Sequence, residues 1–311
     1  MTKKVSCRKA FSAELLECAR TNRDIVVITS DSGGTVTTTQ FAEQLPNQFV
    51  EVGIAEQNAV GVAAGLALAG KNAFVCGPAC FVAARSFEQV KVDVAYNKTN
   101  VKIVGVSAGV SYGPLGGTHI SLHDLAQMRV LPNMQIFVPA DAAQTRFITR
   151  YLSSHQGPAY IRMGRGDVEE VYGQDETFEI GKAKRLCEGT DATLITCGEM
   201  VYPARQACKL LQSMGIQVRL LDLFTIKPID EAAIFAAAHE TGAIITLEEH
   251  SVIGGLGEAV AHILCEQHPT RLKIMGFPDE PTPVGNSAGL FAHYGFTPEG
   301  IASSIQKFLG K

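Results

Sequence analysis

The chain has 311 residues, 46% of them hydrophobic and 19% charged, with a net charge of −4. That length suits two domains, each able to bury its own core, and the composition excludes intrinsic disorder, which needs low hydrophobicity and high net charge. A near-neutral chain with no basic run gives no basis for a nucleic-acid or anionic-membrane partner.

Residues 1–9 are basic, but no apolar run comes after them, so no secretory signal is expected. Apolar runs predict strands at 24–29 and 49–54, then a Gly/Ala-rich helix at 58–68 against which something packs closely. The stretch 58–70, the longest of low polarity, is too short to span a bilayer. Strands are predicted at 73–76, 101–107, 135–138 and 159–163, with helices at 86–96, 121–129 and 141–154. The pattern lapses after Gly164, and a linker is placed at 171–187. It resumes with strands at 192–197, 217–221, 243–247 and 272–275, alternating with helices at 202–214, 230–238 and 257–266 and one starting near Pro298. Such alternation predicts an α/β fold of two doubly wound domains, 1–170 and 188–311, on mostly parallel sheets. The eight cysteines form no Cys-x-x-Cys pair and read as reduced thiols of a cytoplasmic protein.

Four features stand out as candidate chemistry. The glycine-rich loop 108–120 comes after a predicted parallel strand, where α/β proteins bind ligands. Within it His119 lies four residues before His123; on a helix that spacing could present two metal ligands, but no third is apparent, and a site-lining His119 is favoured. Residues 253–257, Ile-Gly-Gly-Leu-Gly, precede a helix like a phosphate-cradling turn, with a tight packing turn as the plainer reading. Just before them, Glu248-Glu249-His250 reads equally as a site or as a solvated loop. Finally, Glu56 comes after an apolar strand and opens the small-residue helix. A poorly hydrated carboxyl there suits proton exchange; the alternative is a first-turn acid stabilised by the helix dipole.

Together these pieces resemble the transketolase family. Residues 51–58, Glu-Val-Gly-Ile-Ala-Glu-Gln-Asn, with the Gly/Ala helix, look like its pyrimidine-binding domain. Pro132-Asn133-Met134 and Val138-Pro139-Ala140-Asp141 match the next strand of that domain, and the segment 157–165 matches its closing stretch. Residues 248–258 are similar to the hallmark of the family's C-terminal domain. The family's Gly-Asp-Gly motif, which holds Mg²⁺ and the diphosphate of thiamine diphosphate, is absent from these residues. The resemblance therefore implies the C-terminal subunit of a split transketolase. An N-terminal partner subunit would bind Mg²⁺, the cofactor would be shared across the interface, and two copies of each subunit would form an α₂β₂ assembly.

The resemblance also assigns roles. Glu56 would hydrogen-bond the aminopyrimidine N1′ of thiamine diphosphate and favour the tautomer that activates the thiazolium, ahead of two-carbon ketol transfer from a ketose to an aldose. Phe81 would stack on the aminopyrimidine, Asp31 would lie near the thiazolium, and His119 would sit at the cofactor and donor end. Thr35 and Arg165 would meet the substrate phosphate, for which a guanidinium fork is suited. Two substrate positions depart from the family. Ser107 stands where a phosphate-binding histidine is usual, and Leu115 replaces an aspartate that reads a donor hydroxyl. A buried Leu115 would leave that hydroxyl unpaired, at roughly 1–3 kcal/mol. These departures predict a donor other than xylulose 5-phosphate, such as a branched or otherwise modified sugar. The β subunit of a 2-oxoacid dehydrogenase E1 component and a catalytically silent regulatory subunit are the alternatives.

Overall fold

The structure is a computed structural model, and it describes residues 4–311; Met1–Lys3 of the basic N-terminal stretch lie outside the described residues. Its main sheet has seven strands, in the order Thr225–Lys227, Gln135–Phe137, Ala159–Arg162, Val101–Val106, Asn72–Pro78, Ile25–Thr29, Phe49–Glu51. Six are parallel, and the apolar runs of Ile25–Thr29, Asn72–Pro78, Val101–Val106 and Ala159–Arg162 are buried on both faces, as a helix-covered parallel sheet requires. The seventh, Thr225–Lys227, comes from the second half of the chain and pairs antiparallel with Gln135–Phe137.

The second sheet has five strands, in the order Arg271–Phe277, Ala243–Ser251, Ala192–Thr196, Val218–Asp222, Lys184–Cys187. The last runs antiparallel at the edge and is built from the end of the stretch read as a linker. A short antiparallel ladder pairs Lys4–Ser6 with Asp167–Glu169.

Two independent cores are not what the chain builds. One hydrophobic cluster runs from Val26, Val75 and Ile103 in the first half to Ile195, Leu221 and Val260 in the second. Further clusters centre on Phe11, Phe74 and Ile161, and on Leu194, Leu211 and Ile301. The halves share apolar burial, so each contributes to the stability of the other.

Several predicted boundaries shift for local reasons. The strand expected to reach 54 ends at Glu51, because Gly53 adopts φ of 71°. The helix expected from 121 begins at Asp124, because Ser121 is held in an antiparallel bridge to Gly109. The helix predicted at 86–96 divides into Phe87–Gln89 and a π-helical Val90–Tyr96. Helices Thr39–Gln44 and Ser287–His293 add to the predicted set. Among the described residues no helix is long and apolar enough to cross a membrane, and all eight cysteines are free thiols.

Candidate active site

A cavity of about 250 Å³ opens at the C-terminal ends of strands Ile25–Thr29, Phe49–Glu51 and Asn72–Pro78. Asp31, Thr35, Glu56, Phe81, Leu115 and His119 all line it, so residues spread over 89 positions of sequence (31 to 119) meet at one place. Ser30, Ser32, Ile54, Pro78, Arg85 and Tyr112 complete the wall.

Glu51 does not line the cavity but braces the chain on either side of it. Its carboxylate accepts from Thr29 Oγ1 (2.6 Å) and from the amides of Asp31 (2.7 Å) and Gly53 (2.9 Å). Partial burial pushes Glu51 up, but these hydrogen bonds outweigh it and hold the carboxyl below its ordinary range. One carboxylate thus fixes both bends, Asp31 at φ of 51° and Gly53 at φ of 71°, that aim the chain into the cavity. Shortly past the second bend, helix Glu56–Leu68 starts on Glu56 itself. Glu56 is 6% exposed, at the end of the helix that favours negative charge.

Phe81 faces it from helix Ala79–Val82. Arg85 bridges the two: its Nη1 lies 3.0 Å from Glu56 Oε1, and its guanidinium carbon lies 3.9 Å over the Phe81 ring centre. His119 meets Phe81 edge-on at 5.2 Å and Tyr112 at 5.6 Å, and its Nδ1 lies 2.9 Å from Thr118 Oγ1. His119 and His123 do not share a helical turn, since His119 ends the turn Gly113–Thr118 and His123 precedes helix Asp124–Arg129. Among the described residues, no group of three or more His, Cys, Asp or Glu is arranged to hold a metal ion.

Arg165 lies beside this cavity rather than in it, on a neighbouring cavity of about 920 Å³. Tyr112 joins the two: Arg165 Nη1 donates to Tyr112 Oη (2.5 Å), which donates to Thr35 Oγ1 (3.4 Å). Arg8 stands with them, donating to the carbonyls of Arg165 (3.0 Å) and Thr35 (2.6 Å). Burial and the Arg165 charge both lower Arg8, and outweigh the opposing pull of Tyr112 and Asp167. Leu115 is 54% exposed at the rim, so the expectation of a buried leucine is corrected: the turn Gly113–Thr118 leaves it at the surface. Ser107 is fully buried at φ of 57°, just past strand Val101–Val106, and lines neither cavity.

A transketolase pyrimidine-binding domain model matches residues 3–170, and a transketolase C-terminal domain model matches residues 181–301. The chain belongs to the transketolase family. It is 54% identical over 308 residues to an apulose-4-phosphate transketolase subunit of Phocaeicola vulgatus, covering 99% of this chain and 98% of that one. It is 39% identical over 300 residues to the 6-deoxy-6-sulfo-D-fructose transketolase subunit SqwH of a Clostridium species, covering 96% and 93%. Among solved structures it resembles a split-gene transketolase described as an inactive β₄ tetramer, with a TM-score of 0.89, 42% identity and 99% coverage of both chains.

The transketolase C-terminal segment 248–258 is neither a solvated loop nor a phosphate cradle. Glu248-Glu249-His250 is the buried end of strand Ala243–Ser251. The anion held by the glycine turn is the protein's own: Glu248 accepts from the amides of Leu256 (2.7 Å) and Gly257 (2.8 Å) at the start of helix Leu256–Gln267. Glu249 accepts from the amide of Val110 (2.8 Å) in the cavity loop. Burial lowers His250 to about 4, so the ring is neutral at pH 7 and donates from Nδ1 to the Ser251 carbonyl (2.9 Å). Arg85 and Arg8 lie outside the sequence reading. Tyr112 and Glu51 were given no individual role there, although Tyr112 falls in the candidate loop 108–120 and Glu51 opens the motif that contains Glu56.

Proposed function

We propose that this transketolase-family chain is the pyrimidine-side subunit of a split transketolase, moving a two-carbon ketol unit from a ketose donor to an aldose acceptor. The observation that carries the reading is Glu56: a buried carboxyl at a helix start, facing an aromatic ring in a cavity with Asp31, Thr35 and His119. This donor set fits the aminopyrimidine end of thiamine diphosphate. The ring needs a flat apolar wall and a carboxyl that can share a proton with a ring nitrogen. When bound, thiamine diphosphate supplies the carbon nucleophile that accepts and passes on the ketol unit. The diphosphate and Mg²⁺ belong, in this reading, to an N-terminal partner subunit, in an assembly with more than one copy of each chain.

Within that assembly Glu56 holds the proton shared with N1′, and Phe81 fixes the plane of the pyrimidine. His119 is steered by Thr118 and by the edges of Phe81 and Tyr112, and faces the donor end. Thr35, Tyr112, Arg8 and Arg165 take the anionic tail of the sugar, with the two guanidinium groups as its counter-charge. The donor is a ketose other than xylulose 5-phosphate: the resemblance puts Ser107 and Leu115 where other members carry substrate readers, and of the two Leu115 stands at the cavity rim. Relatives named for apulose 4-phosphate and for a sulfonated fructose support that choice.

The test is reconstitution with the N-terminal subunit and a panel of ketose donors. Ketol transfer is expected, with kcat/KM for xylulose 5-phosphate below that for another ketose. Glu56→Gln is expected to leave folding and assembly intact and to lower turnover at least about a hundredfold. A preference for xylulose 5-phosphate refutes the donor assignment. Near-wild-type turnover by Glu56→Gln refutes the site. Decarboxylation of 2-oxoacids in place of ketol transfer identifies a dehydrogenase subunit, and cofactor binding without transfer from any sugar identifies a silent one.

A further inference from the structure

The side chain resting on Glu56 and Phe81 is not explained by the proposed chemistry. Arg85 makes an ion pair with the carboxyl at 3.0 Å and lies with its guanidinium carbon 3.9 Å over the ring. A guanidinium is a flat, delocalised group with N–H donors along its edge. With its carbon 3.9 Å from the ring centre, it covers that face of Phe81, leaving no room for another flat group in the same place. The proposed function, on which this inference rests, gives these same two partners, one aromatic face and one buried carboxyl, to the aminopyrimidine.

We propose that Arg85 is a built-in competitor for the aminopyrimidine. In the cofactor-free chain it covers Phe81 and neutralises the buried Glu56. Cofactor binding displaces it toward solvent, so the affinity for thiamine diphosphate is the intrinsic affinity reduced by the work of moving Arg85. The position of Arg85 suits this exchange. It sits in the turn after helix Ala79–Val82, anchored by its own amide to the Phe81 carbonyl (2.9 Å). Its side chain is 50% exposed, against 7% for that of Glu56, so the arginine can leave and the glutamate cannot. A half-exposed ion pair and a cation–π contact are both weak enough to be exchanged for a bound cofactor.

Calorimetric titration of the complex of this chain and its N-terminal subunit with thiamine diphosphate and Mg²⁺ tests the proposal. Arg85→Met removes the competitor while keeping an unbranched side chain, and should bind the cofactor roughly three- to thirtyfold more tightly than wild type. An unchanged or weaker affinity overturns the proposal, because Arg85 would then be indifferent or a clamp that holds Glu56 for the cofactor. A second measurement uses the wild-type complex alone. Phenylglyoxal modification mapped by mass spectrometry should increase at Arg85 when thiamine diphosphate is bound, and protection of Arg85 refutes displacement. If the wild-type complex binds no thiamine diphosphate, the proposed function fails and this inference falls with it. Binding without either Arg85 effect overturns the inference alone.

Discussion

Arg162 sits where the cavity loop, the first domain and the C-terminal domain meet, and its removal tests how they are joined. Its Nε donates to Asp124 Oδ2 (2.8 Å), and its Nη2 donates to the carbonyls of Ser121 (3.3 Å) and Glu249 (2.7 Å). Both members of the ion pair are buried, and Tyr160 adds a second donor to Asp124 Oδ2 (2.6 Å). Arg162→Met preserves much of the volume but leaves Asp124 as a buried charge without its cation, which costs about 3–5 kcal/mol. That is a large part of the roughly 5–15 kcal/mol typical of a folded protein. The loss should depend on pH in a defined way. Burial pushes Asp124 up, but Arg162, His250 and the hydrogen bonds outweigh it and hold the wild-type carboxyl below its ordinary value. Asp124 therefore contributes stability above the unfolded-state pKa and loses it as pH falls through the folded-state pKa. Without Arg162, burial dominates, the folded carboxyl moves above the unfolded value, and its penalty grows as pH rises between the two. Urea denaturation followed by circular dichroism should show the largest gap between wild type and variant near pH 7 and a smaller one at about pH 4.5. Asp124→Asn in the Arg162→Met background should restore part of the loss at pH 7. A loss under about 1 kcal/mol at pH 7, or one that does not shrink at low pH, refutes the reasoning.

Two further outcomes are expected. Burial raises Asp222 to about 7 despite hydrogen bonds from Tyr172 (2.6 Å) and Gln144 (2.9 Å). Between the unfolded value and pH 7 the folded chain therefore binds the extra proton, and its stability falls as pH rises through that window. Asp222→Asn should flatten a series of thermal melts from about pH 4 to 8, with a difference of up to about 4 kcal/mol at the upper end; an unaltered slope counts against the assignment. Gly109→Ala should cost at least about 1–2 kcal/mol, because the site has φ of 62° and a Cβ there would collide with the Glu249 carboxylate. It should also increase limited proteolysis within 108–120, and wild-type resistance there would show that the loop does not depend on this contact.

The parts of the site that were legible in sequence are those carried by one local motif each. Glu56 opens a helix after an apolar strand, Phe81 comes after a buried strand, and His119 ends a glycine-rich loop; each position is fixed by its own element. Arg85 and Arg8 were not legible, because an ion pair between a helix start and a later turn, or an arginine donating to carbonyls of Thr35 and Arg165, obeys no periodicity. Glu248-Glu249-His250 looked hydrophilic for a related reason. Three ionisable residues in a row fit a parallel-strand interior only when each finds its own partner, and these partners lie at Leu256, Gly257, Val110 and Ser251. The strand Thr225–Lys227 has three residues and pairs with Gln135–Phe137 of the other half, so nothing local marked it.

That strand bears on why the C-terminal domain belongs with the site at all, for the domain supplies no residue to the smaller cavity. Its contribution is positional. The loop that brings Tyr112, Leu115 and His119 to the wall is held from behind: Glu249 takes the Val110 amide, Ser287 Oγ donates to the Val110 carbonyl (3.1 Å), and the Gly285 amide donates to the Gly113 carbonyl (3.4 Å). Arg162 ties the far end of the loop, at Ser121, to the same strand that carries Glu249. A loop with this much glycine has many conformations to lose, and only contacts outside itself can select one. Perturbing the C-terminal domain at Glu249 or Ser287 should therefore shift His119 without touching any residue of that cavity, because both side chains hold the loop at Val110.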